Sequence, residues 1–498
     1  MLFDDEMSSM RYAANLARGY GLVFNRHSPP VQGFSNPLWV FIMAILHLLP
    51  VSYAKMSLLI QILCAMLRLA TLLIVWRLAL VLSRDSKMVA LCAVFFTAFY
   101  YPLNNWSLRG SEVALLAPML TLAVYLAIEI IRGAPPRLLW VLLAAATLVR
   151  LDMTIPAVTI LAFVAWCDAP RRREHLVHRG GILLLLIALQ LLAAWWYFGD
   201  PLPNTYYLKM TGYPTWPRIV HGLLTTSVFI RHLEPITLAL IAIVLLLKRD
   251  VTGALLAAVF IAQVAYNIYV GGDAWEQFGG ANRYLCIVMP LFMILLAMAL
   301  HTTADGLASV VRATTPQLSS RWSSAAAFCV LALASAWTLA TFGPYGISAT
   351  NALRQLALMD PPLEHNFHVD RLKLALQASQ ITDPEATIAV TWTGIVPYFA
   401  DRSAIDLLGK NDAHIAHEPM HIDPSVDFYP GHLKWDTDYS IGELKPDAIM
   451  EQWKLAGQGR SSTRGYYHKY VGGHRWYFRA DSKHIRGDAL NALGDRYR

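Results

Sequence analysis

VTGALLAAVFIAQVAYNIYV, residues 251–270, runs twenty positions without an Asp, Glu, Lys, Arg or His. A hydrocarbon core ~30 Å thick is crossed by roughly 20 helical residues. In lipid each backbone amide has to be satisfied within its own segment, so such a crossing is a helix. The pattern repeats in both directions, near 56–82, 87–103, 111–131, 137–149, 153–167, 181–198, 235–248, 283–301 and 324–343. With 56% apolar and 15% charged residues over 498 positions, and a mean hydropathy of +0.41, the chain has too little charge to cover a soluble globule. The reading is a polytopic α-helical membrane protein with about ten spans.

The formal charge is +7, but its placement argues against a nucleic-acid partner. Arg171, Arg172 and Arg173, Lys248 and Arg249, and Arg312 and Arg321 sit in short loops between apolar runs, where basic residues fix topology. Alternating sides from Arg171–Arg173 puts loops 84–87, 132–137, 248–249 and 305–322 inside. It puts 104–110, 150–152, 199–232, 271–282 and both termini outside. The parity requires that 36–50 does not cross; this 15-residue run, with Trp39 near its start and Pro37 and Pro50 bounding it, reads as interfacial or re-entrant. Residues 1–35 are polar and outside, and Met1-Leu2-Phe3 reads as the stub of a further span upstream. Cys64, Cys92, Cys167, Cys286 and Cys329 fall inside or at the ends of apolar runs and read as packing residues.

From about residue 344 the texture turns polar. Residues 1–343 therefore read as a membrane module, with 1–35 as an external loop, and 344–498 as a soluble external domain of mixed α/β class. Thr387-Ile388-Ala389-Val390-Thr391-Trp392 reads as a buried strand and Asp370 to Gln377 as an amphipathic helix. Histidines are scattered here, His414, His417 and His432 among them; in a polar domain these are more often solvated than metal-bound.

The chemistry gathers in the outside segments. Asp4-Asp5-Glu6 precede the helical pattern Met10-Arg11-Tyr12-Ala13-Ala14-Asn15-Leu16-Ala17. Crowded carboxylates repel, which raises the proton affinity of at least one unless a cation compensates. Such a group suits a general base that takes a proton from a sugar hydroxyl. The structural alternative is a solvated acidic first turn, since acids favour helix N-termini. Four further motifs lie on the same side: Trp106-Ser107-Leu108-Arg109-Gly110-Ser111-Glu112, Arg150-Leu151-Asp152, Pro203-Asn204-Thr205-Tyr206-Tyr207-Leu208-Lys209, and Gly271-Gly272-Asp273-Ala274-Trp275 with Asn282-Arg283-Tyr284. Ionisable groups at membrane depth are paired or functional, and several at one face point to a shared cavity. Arg109, Arg150, Lys209 and Arg283 suit phosphate oxygens, carboxylates suit sugar hydroxyls, and Trp39, Trp106 and Trp275 suit either sugar stacking or interfacial anchoring. Each cation is equally suited to a structural ion pair. The residues assign no definite cofactor; a divalent cation at the acids is the one candidate, its ligands unknown.

The run Asp4-Asp5, Arg11-Tyr12, Asn15-Leu16, Gly19, Gly21-Leu22-Val23-Phe24-Asn25 and Gly33-Phe34-Ser35-Asn36-Pro37-Leu38-Trp39 resembles the first external loop of GT-C fold glycosyltransferases. It is most similar to the mycobacterial terminal β-(1→2)-arabinofuranosyltransferases and their wider bacterial relatives. Arg109-Gly110-Ser111-Glu112, Pro203-Asn204-Thr205-Tyr206-Tyr207, Gly271-Gly272-Asp273, Asn282-Arg283-Tyr284, Ala404-Ile405-Asp406-Leu407-Leu408-Gly409 and Asn411-Asp412 extend the resemblance over nearly the whole chain. It implies a GT-C-like membrane module with a C-terminal periplasmic domain in a bacterial inner membrane. It also implies a polyprenyl-phosphate sugar donor and an envelope glycan or glycolipid acceptor. Asp4 or Asp5 would be the catalytic carboxylate. Arg11, Asn36, Arg109, Glu112, Arg150, Asp152, Asn204, Lys209, Asp273 and Arg283 would bind donor phosphate or sugar, with Arg283 and one of Arg109, Arg150 or Lys209 on the phosphate. Glu6, Met7 and Ser8 depart from the small or aromatic residues more common in such relatives, which points to a different sugar.

Three rivals stand beside this reading, one of them a non-catalytic receptor or assembly scaffold, which would leave the clustered acids unexplained. A ligase or oligosaccharyltransferase would move a whole lipid-linked glycan through a wider acceptor groove. A transporter would carry its polar groups near the midplane on inverted repeats, and no repeat is visible.

Overall fold

The computed structural model describes the chain except residues 1, 136–137, 277–280, 315–319, 341–348, 358, 363, 423–427, 451–462 and 495–498. Arg137 and the junction expected near residue 344 lie outside the described residues. Two compact units emerge: residues 1–62, 188–214 and 364–498 form one, residues 63–187 and 215–363 the other.

The second unit is helical. Its centre is Met289–Thr314, whose residues from Met289 to Leu300 are all buried, as a helix apolar on every side should be inside a bundle. Lys87–Phe99, Val251–Val270 and Pro235–Lys248 pack on it. Among the described residues five helices of the whole chain are long and apolar enough to cross a membrane, or up to seven if each bent pair is one span. Among the described residues the expected runs are largely helical, but 87–103 breaks at Tyr100 and 283–301 at residues 287–288, and several helices are shorter than a span. Lys87–Phe99 meets Tyr101–Leu108 at 56°, and Thr215–His232 meets Pro235–Lys248 at 81°. Pro102 and Pro235 stand in the first turn after each break, where proline disfavours helix in the preceding residue. Leu139–Val149 and Thr154–Cys167 are separated by the extended Arg150 and a short 3₁₀ turn, and an 11-residue helix rises only about 16 Å.

The first unit joins the N-terminal segment to the tail. Asp4–Ala17 packs against Pro37–His47, which is too short to span. That second helix buries Trp39, Val40, Met43 and Ala44 and exposes Phe41 and Ile45. The tail holds a sheet with five strands among the described residues, β1 (Thr387–Val390), β2 (Ser403–Asp406), β3 (Ala448–Ile449), β4 (Tyr466–Val471) and β5 (His474–Arg479), in the order β2-β1-β3-β5-β4. β1 runs parallel to β2 and β3, and β5 runs antiparallel to β3 and β4. The apolar run Ile388, Ala389 and Val390 is buried throughout, as a central parallel strand requires. Ile395–Ala400 connects β1 to β2, so the two strands end side by side, Val390 opposite Asp406. The loops after these carboxyl ends are where open parallel sheets place ligands.

Candidate functional site

Both of those loops meet the acidic start of the chain. Gly394 and Ile395 donate their backbone N–H groups to Asp4, at 3.1 and 2.8 Å, so a buried carboxylate caps the helix that follows β1. A Cβ on Gly394 would lie 1.7 Å from the Asp4 carbonyl oxygen; only glycine admits the approach. Asp5 points elsewhere. Lys410, in the loop after β2, donates to its Oδ1 at 2.9 Å, with the two side chains 21% and 30% exposed. An acid still open to solvent can exchange protons, whereas Asp4 is held by amides. The two expected catalytic candidates thus have different environments.

The loop carrying Lys410 is itself anchored. Asp406 accepts from the N–H groups of Leu408, Gly409 and Asn411 and from the Asn411 side chain, and burial pushes its pKa up to about 6 against those donors. Asn411 also accepts from the Tyr12 hydroxyl at 3.0 Å, and Gly33 fits beside it because a Cβ there would lie 2.0 Å from Asn411 Oδ1. Near Asp5 stands His432, its Nδ1 3.0 Å from the Pro430 carbonyl and its ring 4.3 Å from that of Tyr429. Burial pushes the His432 pKa down to about 4, the charges of Lys209 and Lys410 adding to the effect and Asp5 opposing it. Lys209, on Asn204–Met210, lies against Gly431, whose Cβ would be 3.7 Å from Lys209 Cε. Asp5, Lys410, Lys209 and His432 therefore form one polar cluster within the first unit.

Three other residues expected at the donor are bonded within this unit. Arg11 donates to the carbonyls of Phe24, Pro397 and Arg402 and to the Asn25 side chain, so its guanidinium ties the external loop to the tail rather than facing a phosphate. Asn36 accepts from Ser9 at 3.1 Å, and the Asn204 amide donates to the Gly409 carbonyl at 3.2 Å.

The second unit holds two buried charge clusters. Arg150 pairs with both oxygens of Asp152 and lies 3.5 Å from Glu112, all three side chains 5–6% exposed. The guanidinium expected at a phosphate is thus engaged by two carboxylates in this structure. Arg283 pairs in bidentate fashion with the fully buried Asp273, at 2.7 and 2.9 Å, and its guanidinium lies 5.7 Å from the Trp106 ring. Glu276 accepts from the Asp273 N–H and from Asn282, and burial pushes its pKa up to about 7. Arg109 is buried at the C-terminal end of Tyr101–Leu108.

The divalent cation considered for the acids does not suit this geometry, since Asp4 faces amide hydrogens and Asp5 an ammonium. His414, Glu418 and Asp436 bring ligand atoms within 4.8 Å of one another in the tail, the histidine exposed and the two acids half-buried. Lys410 was missed in the sequence, although it stands between the quoted Gly409 and Asn411; a lone lysine in a polar loop carries no signal of a partner 405 positions away.

No curated protein matches the chain in sequence. A family model described as a domain of unknown function (DUF8728) matches residues 363–482. Among solved structures the chain resembles ArnT from Cupriavidus metallidurans bound to undecaprenyl phosphate, at 13% identity and a TM-score of 0.55, over 97% of this chain and 94% of that one. The apo state of the same protein gives 13% identity and a TM-score of 0.53, over 96% and 93%. The chain accordingly has an ArnT-like, GT-C-like fold with several apolar helices and a small C-terminal sheet domain.

Proposed function

We propose that this chain is a multi-pass inner-membrane glycosyltransferase that moves a single sugar from a polyprenyl-phosphate donor to an envelope glycan or glycolipid on the periplasmic face. The observation that carries the reading is the partly exposed Asp5 carboxylate paired with Lys410 at the carboxyl ends of β1 and β2. Asp5 accepts the proton of an acceptor hydroxyl as that oxygen bonds the anomeric carbon. The bond from the anomeric carbon to the phosphate oxygen breaks, and polyprenyl phosphate leaves with the electron pair. Cations at the phosphate stabilise the charge that develops there. The likeness to a fold that holds undecaprenyl phosphate supports the lipid donor. The donor sugar is a pentose or a hexose, and the departure at Glu6, Met7 and Ser8 from the arabinofuranosyltransferase pattern favours one other than arabinofuranose.

Asp5→Asn tests the role of the carboxylate. We expect sugar transfer to fall by about 10²–10⁴-fold with the thermal midpoint unchanged. Full transfer activity in Asp5→Asn would remove the carboxylate from the scheme.

A further inference from the structure

Lys410 and Asp5 hold each other at 2.9 Å in a site that is still open to solvent. An ion pair this open to water is held weakly, so a stronger anion can displace the carboxylate. A second cation, Lys209, lies across the cluster beside Gly431 and His432. The backbone under Lys410 is fixed by the four donors that Asp406 gathers, while a lysine's four-carbon stem has the rotatable bonds to re-aim its ammonium. A fixed anchor with a mobile head suits a cation that changes partners.

We infer that Lys410 is an exchangeable counter-ion: it holds Asp5 while no donor is bound, and the donor's phosphate takes over its ammonium, releasing Asp5 to act as base. The inference rests on Asp5 being the reacting carboxylate. In the resting state the ammonium makes Asp5 a poor base. Once the ammonium's hydrogen bond passes to a phosphate oxygen, the carboxylate regains its affinity for the acceptor's proton. The base is thus switched on by the substrate it serves. The charged or titratable groups around Asp5 are Lys410 and His432 from the tail, Lys209 from Asn204–Met210, and Asp4 and Glu6 on either side. Burial keeps His432 neutral at physiological pH, so among the described residues named here Lys410 and Lys209 are the cations an arriving phosphate meets.

The test compares full-length wild type, Lys410→Met and Lys410→Arg in detergent, measuring affinity for polyprenyl phosphate and the pH profiles of kcat and kcat/KM. In wild type the acid limb of kcat, which reports the donor complex, should lie above that of kcat/KM, which reports the free enzyme. Lys410→Met should move the kcat/KM limb up by about one pH unit and narrow the gap between the two limbs. It should also weaken polyprenyl phosphate binding about tenfold or more, with Lys410→Arg recovering most of both effects. A Lys410→Met protein with a lower thermal midpoint but unmoved pH limbs and unchanged lipid affinity would show a purely structural lysine and overturn the inference. A wild-type protein that binds no polyprenyl phosphate would instead overturn the functional reading beneath it.

Discussion

Two adjacent aspartates show how neighbours in sequence acquire different chemistry. Asp4 is buried and accepts two amide N–H bonds; Asp5 is partly exposed and meets an ammonium. Replacing a buried acceptor leaves its donors unsatisfied, at roughly 1–3 kcal/mol. Asp4→Ala should therefore lower the thermal midpoint of the protein, while Asp5→Asn should not. Equal midpoints for Asp4→Ala and wild type would show that the cap does not hold the tail. His432 gives a pH dependence whose sign is fixed. Its pKa is near 6.5 unfolded and about 4 folded, so between these values the unfolded chain binds more protons. Its contribution to stability is complete above the unfolded value and is lost as pH falls toward 4. With its residual exposure allowed for, the loss by pH ~5 should be of the order of 1 kcal/mol. Thermal unfolding at pH ~7 and pH ~5 should show less acid sensitivity in His432→Gln than in wild type. Equal sensitivity in the two proteins would count against a buried, neutral imidazole.

At the scale of elements, the breaks matter more than the helices. The apolar runs were legible because twenty residues without charge have one solution in lipid. Their interruptions were legible only in part. The expected span 87–103 ran through Pro102 and so missed the break before it, while Arg150 ends its helix in an extended conformation with its side chain paired to two acids. Read along the sequence, Arg150 looked like a phosphate ligand, since the carboxylate that completes its pairing, Glu112, is 38 positions away. Arg150→Gln should remove the cation that the buried Asp152 carboxylate pairs with, costing about 3–5 kcal/mol. Chemical or thermal unfolding of the detergent-solubilised protein checks this. A variant of wild-type stability with weakened lipid binding would return Arg150 to the donor site.

At the scale of the molecule, local pattern gave the membrane class, the change of texture toward a polar tail and the strand at Thr387, all of which depend on nearby residues. The tail's part in the candidate site was not legible. Asp4 and Gly394 are 390 positions apart, Asp5 and Lys410 are 405 apart, and no periodicity encodes contacts of that span. The Gly33-Phe34-Ser35-Asn36 motif was visible, but its close approach to Asn411 was not. The rival that a membrane chain always invites is transport, and one assay separates it from transfer. Purified protein is incubated with a panel of polyprenyl-phosphate sugars and an acceptor glycan, and free polyprenyl phosphate is measured by mass spectrometry. The account predicts release from one donor class, matched by sugar gained on the acceptor. Intact donors across the whole panel, with labelled donor moved across vesicles that hold the protein, would contradict it.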